Sequence, residues 1–599
     1  MKRNFGIIVV LIPSLIVCLS GCGASGGGSS RRDGGGGSDE DLALVSGDED
    51  GNIGNTDESS FTKNEDAHVK ESIVLEDANQ PVTENVQAVR KVLLSESVTM
   101  GEGDAGAFYS NQDFKDIAPA DITSFSAENI PEKYDSRDVD GGNYITTVED
   151  QGYSYLCWTF ASMGAVESDI LRHHDNIANT DMDLSEKHLA YYNVHRAVGS
   201  RDGYIDDDYR ELVNADGDNN DWIFDYDTGY ISVGGVSDYC INLLTAWKGP
   251  VDEEGGDAFD SVYGSANLFT DNASKPSEAY GGKYHVQGAY CVPGNIGNSL
   301  MLKQMIMEHG SVTIGVNASS KFFKDHSSTL YSTFDGETAV TADHEVLIIG
   351  WDDNYSADNF KIRPEGDGAW LCKNSWGKVS GKDGCFYLSY YDETAAVSNA
   401  TAYHVAMEGD ENWYDNNYQV AGFFTNVVSA LEDEKNMVST LSSSANPYGV
   451  LYKAIANETL KAIGFMSLDL YQQYEVGIYL NPVVEGGDIS FEKDGPVLTQ
   501  KISSISGGFH TFELDKEIEL DEDDSFFILV KPVTEGRLVF EQAGELTGDA
   551  NYDEWHNLTG NIHNSYSASG CSYYISDDGK SMVRQEDKDF FIKAYTNDK

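Results

Sequence analysis

Gln151-Gly152-Tyr153-Ser154-Tyr155-Leu156-Cys157-Trp158-Thr159-Phe160 is the stretch from which the rest of this chain can be read. Beyond Cys157, apolar residues recur at steps of three and four (Phe160, Met163, Val166, Ile170), the period of a helix. The spacing predicts a helix that begins at the cysteine. A thiol placed there gains from the helix dipole and from free backbone N–H groups, both of which favour the thiolate. Gln151 could supply a side-chain donor to a developing oxyanion, and the Cys157 backbone N–H a second. Taken alone, a cysteine before an aromatic helix is more often a small buried apolar residue.

Two further pieces change the weight. Asp343-His344 opens the apolar run Val346-Leu347-Ile348-Ile349, and Lys373-Asn374-Ser375-Trp376-Gly377 sits at the turn of a glycine-rich hairpin predicted from Ala369 to Tyr391. A histidine entering a strand can hold its ring over a cleft as base and acid. An Asn side-chain oxygen can accept from the other ring nitrogen and fix the ring. Each fragment has a plain alternative, a satisfied core histidine or a turn asparagine before a packing tryptophan. The order Gln, Cys, His, Asn within one α+β region is far harder to obtain by accident.

On these motifs the region resembles the papain family of cysteine peptidases, whose signatures are Gln-Gly and Cys-Trp-x-Phe, then Asp/Asn-His before an apolar strand, then Asn-Ser-Trp-Gly. The spacing of six from Gln151 to Cys157 is the family's, and Pro131, Asp135-Ser136-Arg137 and Leu184-Ser185-Glu186 match as well. The resemblance covers roughly residues 130–405. It implies Cys157 as nucleophile, His344 as base and acid, Asn374 as its orienter, Gln151 as oxyanion donor, and Trp376 as cover over the His–Asn contact. Gly234 and Gly235 resemble the glycines whose backbone lines the substrate cleft. Hydrolysis by this route requires no cofactor.

The departures are informative. Ser154, Tyr155 and Leu156 stand where the family has a frequent half-cystine and small residues. Tyr155 replaces a glycine that lets substrate approach, which implies narrow specificity or weakened activity. Cys157 and His344 are 187 positions apart, against roughly 130–150 in papain-like enzymes. Insertions at 201–230 and 353–368 are the expected source.

After about Gly409, period-two runs such as Tyr474–Leu480 and Phe526–Val530 alternate with Gly, Asp and Asn turns, which predicts a β-sandwich or jelly roll. Together with Asn412-Trp413-Tyr414-Asp415-Asn416-Asn417-Tyr418-Gln419, this resembles clostridial surface cysteine proteases that carry a lectin-like domain. Binding of cell-wall glycan by the β domain is what that resemblance implies, although tyrosines in strands are more often half-buried packing. A catalytically weakened scaffold acting as a glycan-binding adhesin is the rival to a peptidase. Asp216 to Asp227 lacks the glycine and glutamate of a calcium loop, and His173-His174 has no partner Cys or acid at zinc spacing, so no metal is assigned.

The composition agrees. Lys+Arg 40 against Asp+Glu 100 gives a net charge of -60, which argues against nucleic acid as a partner, while 34 Tyr, 25 Phe and 8 Trp are ample for packed cores. Lys2 and Arg3 precede an apolar run that stops at Leu19-Ser20-Gly21-Cys22, which resembles a bacterial lipobox. The expected organisation is a lipoprotein signal peptide (1–22, acylated at Cys22), a flexible acidic Gly/Ser tether (23–60) and a spacer or pro-segment (61–127). An α+β papain-like two-lobed catalytic domain (128–408) and an all-β lectin-like sandwich domain (409–599) follow. This places a protein or peptide substrate at the outer face of a bacterial cytoplasmic membrane, with few or no structural disulfides.

Overall fold

Helix α1 (Cys157–His173) is the axis of the N-terminal half, buried from Cys157 through Leu171. Arg172 and His173 complement the dipole at its last turn, whereas its first turn holds no acidic residue and Leu156 offers no side-chain cap. The computed structural model describes residues 130–193, 235–259, 276–333, 342–421, 438–545 and 561–599 with short interruptions, plus the strand Phe224–Asp225. The expected leader with Cys22, the tether, the spacer, Gly234 and nearly all of the 201–230 insertion lie outside those residues.

Helices α2 (Glu186–Tyr192) and α3 (Ser237–Thr245) pack on one side of α1. Ser185 caps α2 by accepting the His188 N–H at 2.9 Å. Here Trp158, Met163, Val166, Leu189 and Leu244 close one core. A second core gathers α4 (Ser299–His309), which ends at Gly310 with φ +84°, against a sheet through Met301, Ile306, Ile314, Ile348 and Phe386. Each such fully buried side chain contributes about 1.5–3 kcal/mol. Two cores flanking one helix give the two-lobed α+β form expected from the sequence.

The strands that matter, in chain order, are β1 (Lys133–Asp135), β2 (Tyr284–Pro293), β3 (Val312–Val316), β4 (His344–Asp352), β5 (Ala369–Lys373), β6 (Cys385–Ser389) and β7 (Asn399–Met407). They continue with β8 (Asn416–Tyr418), β9 (Tyr448–Lys453), β10 (Glu458–Ser467), β11 (Gln472–Leu480), β12 (Leu498–Ser504), β13 (Gly507–Leu520), β14 (Ser525–Pro532) and β15 (Ile592–Asp598). The period-two runs read from sequence coincide with β11 and β14, and the Asp521–Asp524 run turns between β13 and β14.

One sheet runs β8-β15-β10-β13-β2-β7-β3-β4-β5-β6, so the β region and the N-terminal half share a single ladder. The junction is β13 against β2, with Gly508 opposite Tyr290. Gly508 has φ +104°, and a Cβ there would stand 1.9 Å from the Ala289 carbonyl oxygen. Only glycine permits that approach. A second sheet containing β9, β14, β11 and β12 faces β8, β15, β10 and β13 across a core of Tyr418, Phe465, Val476, Phe512 and Phe526, which makes the C-terminal half a sandwich.

The 412–419 motif forms the joint. His285 is stacked between Trp247 at 3.6 Å and Trp413 at 3.8 Å, while Asn417 and Gln419 donate to the carbonyls of Thr245 and Ala246. None of the six cysteines among the described residues is in a disulfide.

Candidate active site

Strand register assembles the site. β4 and β5 pair antiparallel with Leu347 opposite Lys373. Continuing that register carries Asn374 and Trp376 back along the start of β4, where His344 begins the strand. The Trp376 indole stacks on the His344 ring, centroids 4.6 Å apart. His344 Nε2 lies 2.8 Å from Asn374 Oδ1. The Ser375 backbone N–H donates to the same Oδ1 at 2.8 Å, so that atom is an acceptor and Nε2 carries the proton.

A neutral ring with its proton on Nε2 leaves Nδ1 as a bare nitrogen, and Nδ1 makes no hydrogen bond. The ring is buried. Burial pushes its pKa down to about 4, with the Asn374 contact pulling the other way. His344 is therefore an unprotonated base at neutral pH.

Gln151 is fixed from two sides. Its N–H donates to the Ser375 carbonyl at 2.8 Å, Gly377 N–H donates to the Glu149 carbonyl at 2.8 Å, and the Ser375 hydroxyl donates to Gln151 Oε1 at 2.6 Å. With Oε1 occupied, the amide points its nitrogen onward. Nε2 donates one hydrogen to the Ser154 carbonyl at 3.0 Å and keeps a second. This loop leads directly into α1. The helix lies against β4, where Gly164 leaves room for Leu347.

Cys157 is buried at 9% exposure at the first position of α1. Leu156 is buried, while Tyr155 is 39% exposed. Gly235 is pressed against Trp158, where a Cβ would come within 2.6 Å of the indole, so its missing side chain makes room for packing beside the nucleophile position. The aromatic residues of the β half do not form an open platform among the described residues, where Tyr155 is the exposed aromatic.

Sequence reasoning missed Ser375 as the anchor of Gln151. It also missed a buried carboxylate group behind Asn374. Lys373 Nζ donates to Thr146 Oγ1 at 2.9 Å, Thr146 donates to Glu167 Oε2 at 2.5 Å, and Leu184 N–H donates to Glu167 Oε1 at 2.9 Å. Burial pushes Glu167 up to about 8 despite Lys373 and raises Glu149 and Glu186. The Glu ten residues after Cys157 and the Lys directly before Asn374 were the available signals. One reading needs correction: His173 does have an acid partner, since its Nδ1 lies 3.2 Å from Asp169 Oδ1 one turn earlier on α1.

Comparison with known proteins meets this geometry. Residues 130–405 match the papain family cysteine proteases, and residues 433–596 match the lectin like domain. The chain carries a papain-family cysteine protease domain followed by a lectin-like domain. Cathepsin L of Sarcophaga peregrina is 22% identical over 289 residues, 48% of this chain and 66% of that protein. Procathepsin L of Felis catus is 25% identical over 43% of this chain and 59% of its own length, so the chain spans about six-tenths of these relatives. The clostridial cysteine protease Cwp84 after propeptide cleavage superposes with TM-score 0.55 at 22% identity, covering 78% of this chain and 99% of Cwp84. The cysteine protease and lectin-like domains of Cwp84, described as a surface layer associated protein of Clostridium difficile, give 0.54 at 20% identity over 87% and 98%. The papain-family domain and its trailing sandwich therefore share the Cwp84 fold.

Proposed function

We propose that this chain is an exported, lipid-anchored papain-like cysteine endopeptidase that cuts surface or extracellular proteins. The observation that carries the reading is the proton placement at His344, with Nε2–H held by Asn374 and Nδ1 bare. The Cys157 thiol gives its proton to Nδ1, and the thiolate attacks the substrate carbonyl carbon. The oxyanion is received by the Cys157 N–H and the remaining Gln151 amide hydrogen. His344 returns the proton to the leaving amine as the C–N bond breaks, leaving a thioester. A water then loses a proton to Nδ1 and attacks the thioester, which frees the acid and regenerates the thiol. Trp376 keeps solvent off the His–Asn contact, and no cofactor enters.

Export and anchoring rest on the Lys2 to Cys22 pattern, and the surface-layer association of Cwp84 supports a cell-surface location. Cys157→Ala should abolish peptide hydrolysis and labelling by an epoxide thiol inhibitor. Unlabelled, inactive wild-type protein that still binds cell-wall glycan would favour the adhesin reading instead.

A further inference from the structure

Five carboxyl groups converge behind the loop that carries Gln151. Glu149 stands two residues before Gln151, and its carbonyl accepts the Gly377 N–H at 2.8 Å. Asp183 and Glu253 come side by side because the backbone pairs there: Leu184 bridges Asp252, and the Glu253 N–H donates to the Asp183 carbonyl at 2.9 Å. One carboxylate oxygen from each of Glu149, Asp183 and Glu253 lies within 4.8 Å of the others. Glu167 and Glu186, both buried, complete the group.

Glu186 sets this cluster apart from an ordinary acidic surface. It is 2% exposed, and its Oε2 is buried with no hydrogen-bond donor among the described residues. The group it faces is the Glu149 carboxyl, another acceptor, and Glu167 and Glu253 stand near enough to repel it. Asp183 and Glu253 face each other in the same way. Two facing carboxylates require a proton or a cation between them. The two ammonium groups that act on the cluster are directed to other acceptors, Lys373 to Thr146 Oγ1 at 2.9 Å and Lys187 to the Gly256 carbonyl at 2.5 Å. A cavity of about 20 Å³, room for one water-sized guest, is lined by both Glu149 and Glu186.

We propose that Glu149, Asp183 and Glu253, with Glu186 behind them, bind one calcium-type dication. Ca–O bonds of about 2.3–2.6 Å let ligands on opposite sides of the ion lie up to about 5 Å apart, which spans the 4.8 Å cluster without backbone movement. Magnesium, at about 2.0–2.1 Å, reaches only about 4.2 Å across and gives up its waters reluctantly. The donors are oxygens throughout, with no imidazole or thiolate, which disfavours zinc and copper. Glu167 stays outside the ligand set, since its two oxygens accept from Thr146 and the Leu184 N–H. Glu253 Oε1 accepts the Phe259 N–H, a bond that orients the carboxylate from outside.

The ion enters from solvent at Asp183, the exposed member, and waters complete its coordination on that side. Bound there, it ties the loop before Gln151 to the lead into α2 and to residues 251–253. Burial raises the pKa values of Glu149, Asp183, Glu186 and Glu253, so the arriving ion displaces protons from the group.

The test uses full-length Cys157→Ala protein, which cannot cut itself during long titrations, stripped with EDTA and desalted. Calorimetric titration with Ca²⁺ near neutral pH should show one saturable site per chain, with Mg²⁺ bound at least about tenfold more weakly. A chain of net charge -60 also collects Ca²⁺ loosely, so variants decide the address. Asp183→Asn, at an exposed position, should weaken the saturable site at least about tenfold and abolish the rise in Tm that Ca²⁺ produces, with circular dichroism unchanged. Glu253→Gln should behave alike. A parent without a saturable site would mean that shared protons alone hold the carboxyls together, which overturns the assignment, as would an unchanged site in the folded Asp183→Asn protein.

Discussion

The 2.8 Å bond from His344 Nε2 to Asn374 Oδ1 decides which ring nitrogen is basic and how basic it is. Burial lowers the His344 pKa to about 4, and the Asn374 bond, which stabilises the protonated ring, raises it. Activity needs Nδ1 unprotonated, so the acid limb of kcat/KM should lie below the ordinary histidine value of about 6.5, toward 4. Asn374→Ala should move that limb lower still while reducing kcat/KM by about 10²-fold, because the ring loses its orientation. A pH–rate series on both proteins measures this, and an acid limb displaced upward in the variant would contradict the assigned cause.

Ser375 acts through Gln151. Gln151→Ala should cost about 10²–10³-fold in kcat with little change in KM, as expected for a donor used mainly in the transition state. Ser375→Ala removes only the 2.6 Å bond to Oε1 and leaves the backbone bond from Gln151 N–H. Its loss in kcat should be smaller, within about tenfold, consistent with one neutral hydrogen bond. Steady-state kinetics that split KM from kcat separate positioning from binding. A Ser375 variant as impaired as the Gln151 variant would make the hydroxyl a direct participant.

How legible these features were depended on range. α1, β3 and β4 follow from periodicity within a dozen residues, and Gln151, Cys157, His344 and Asn374 from compact motifs. The Ser375–Gln151 bond spans 224 positions, with no local pattern to announce it. The β13–β2 ladder consists of backbone bonds, which side chains mark only where Gly508 is forced by close approach. The 412–419 motif carries part of the resemblance to clostridial surface proteases. Its role as a joint depends on His285 and Trp247, distant in sequence, stacking against Trp413.

Glu167 predicts a stability effect with a definite sign. Burial raises its folded-state pKa to about 8, against 4.5 when free. Its contribution is fully present below about pH 4.5 and is lost as pH rises through about 8. Glu167→Gln keeps the shape and stays neutral, so its Tm should fall less than the parent's between about pH 5 and 8.5. Parallel Tm–pH curves would show that the carboxyl is not the source.

Tyr155 is 39% exposed two residues before Cys157, where the family's glycine admits the substrate backbone. Tyr155→Gly should leave stability within about 0.5 kcal/mol, as for other surface changes. It should raise kcat/KM for peptides carrying large side chains beside the cut by about tenfold or more, since the removed ring frees a pocket wall. Comparison of matched peptides with small and large residues tests this, and an unchanged preference would place Tyr155 outside the substrate path.

Trp413 holds the two halves together through a stack rather than through chain connectivity. Its ring lies 3.8 Å from His285 at 13°, and His285 lies 3.6 Å from Trp247 at 8°. Asn597 Nδ2 also donates to the Trp413 carbonyl at 3.3 Å, but that bond is to backbone and survives substitution. Trp413→Ala therefore removes packing alone, at about 2–4 kcal/mol, below the cost for a fully buried tryptophan because this ring is partly exposed. The loss falls on the junction, so the halves should uncouple before either core melts: β13–β2 pairing and the Asn417 and Gln419 bonds would remain as the weaker bridge. Calorimetry should show one transition in the parent and a broadened or divided one in the variant. A single sharp transition at the parental Tm would mean that the shared ladder alone sets the coupling and the aromatic stack adds nothing to it.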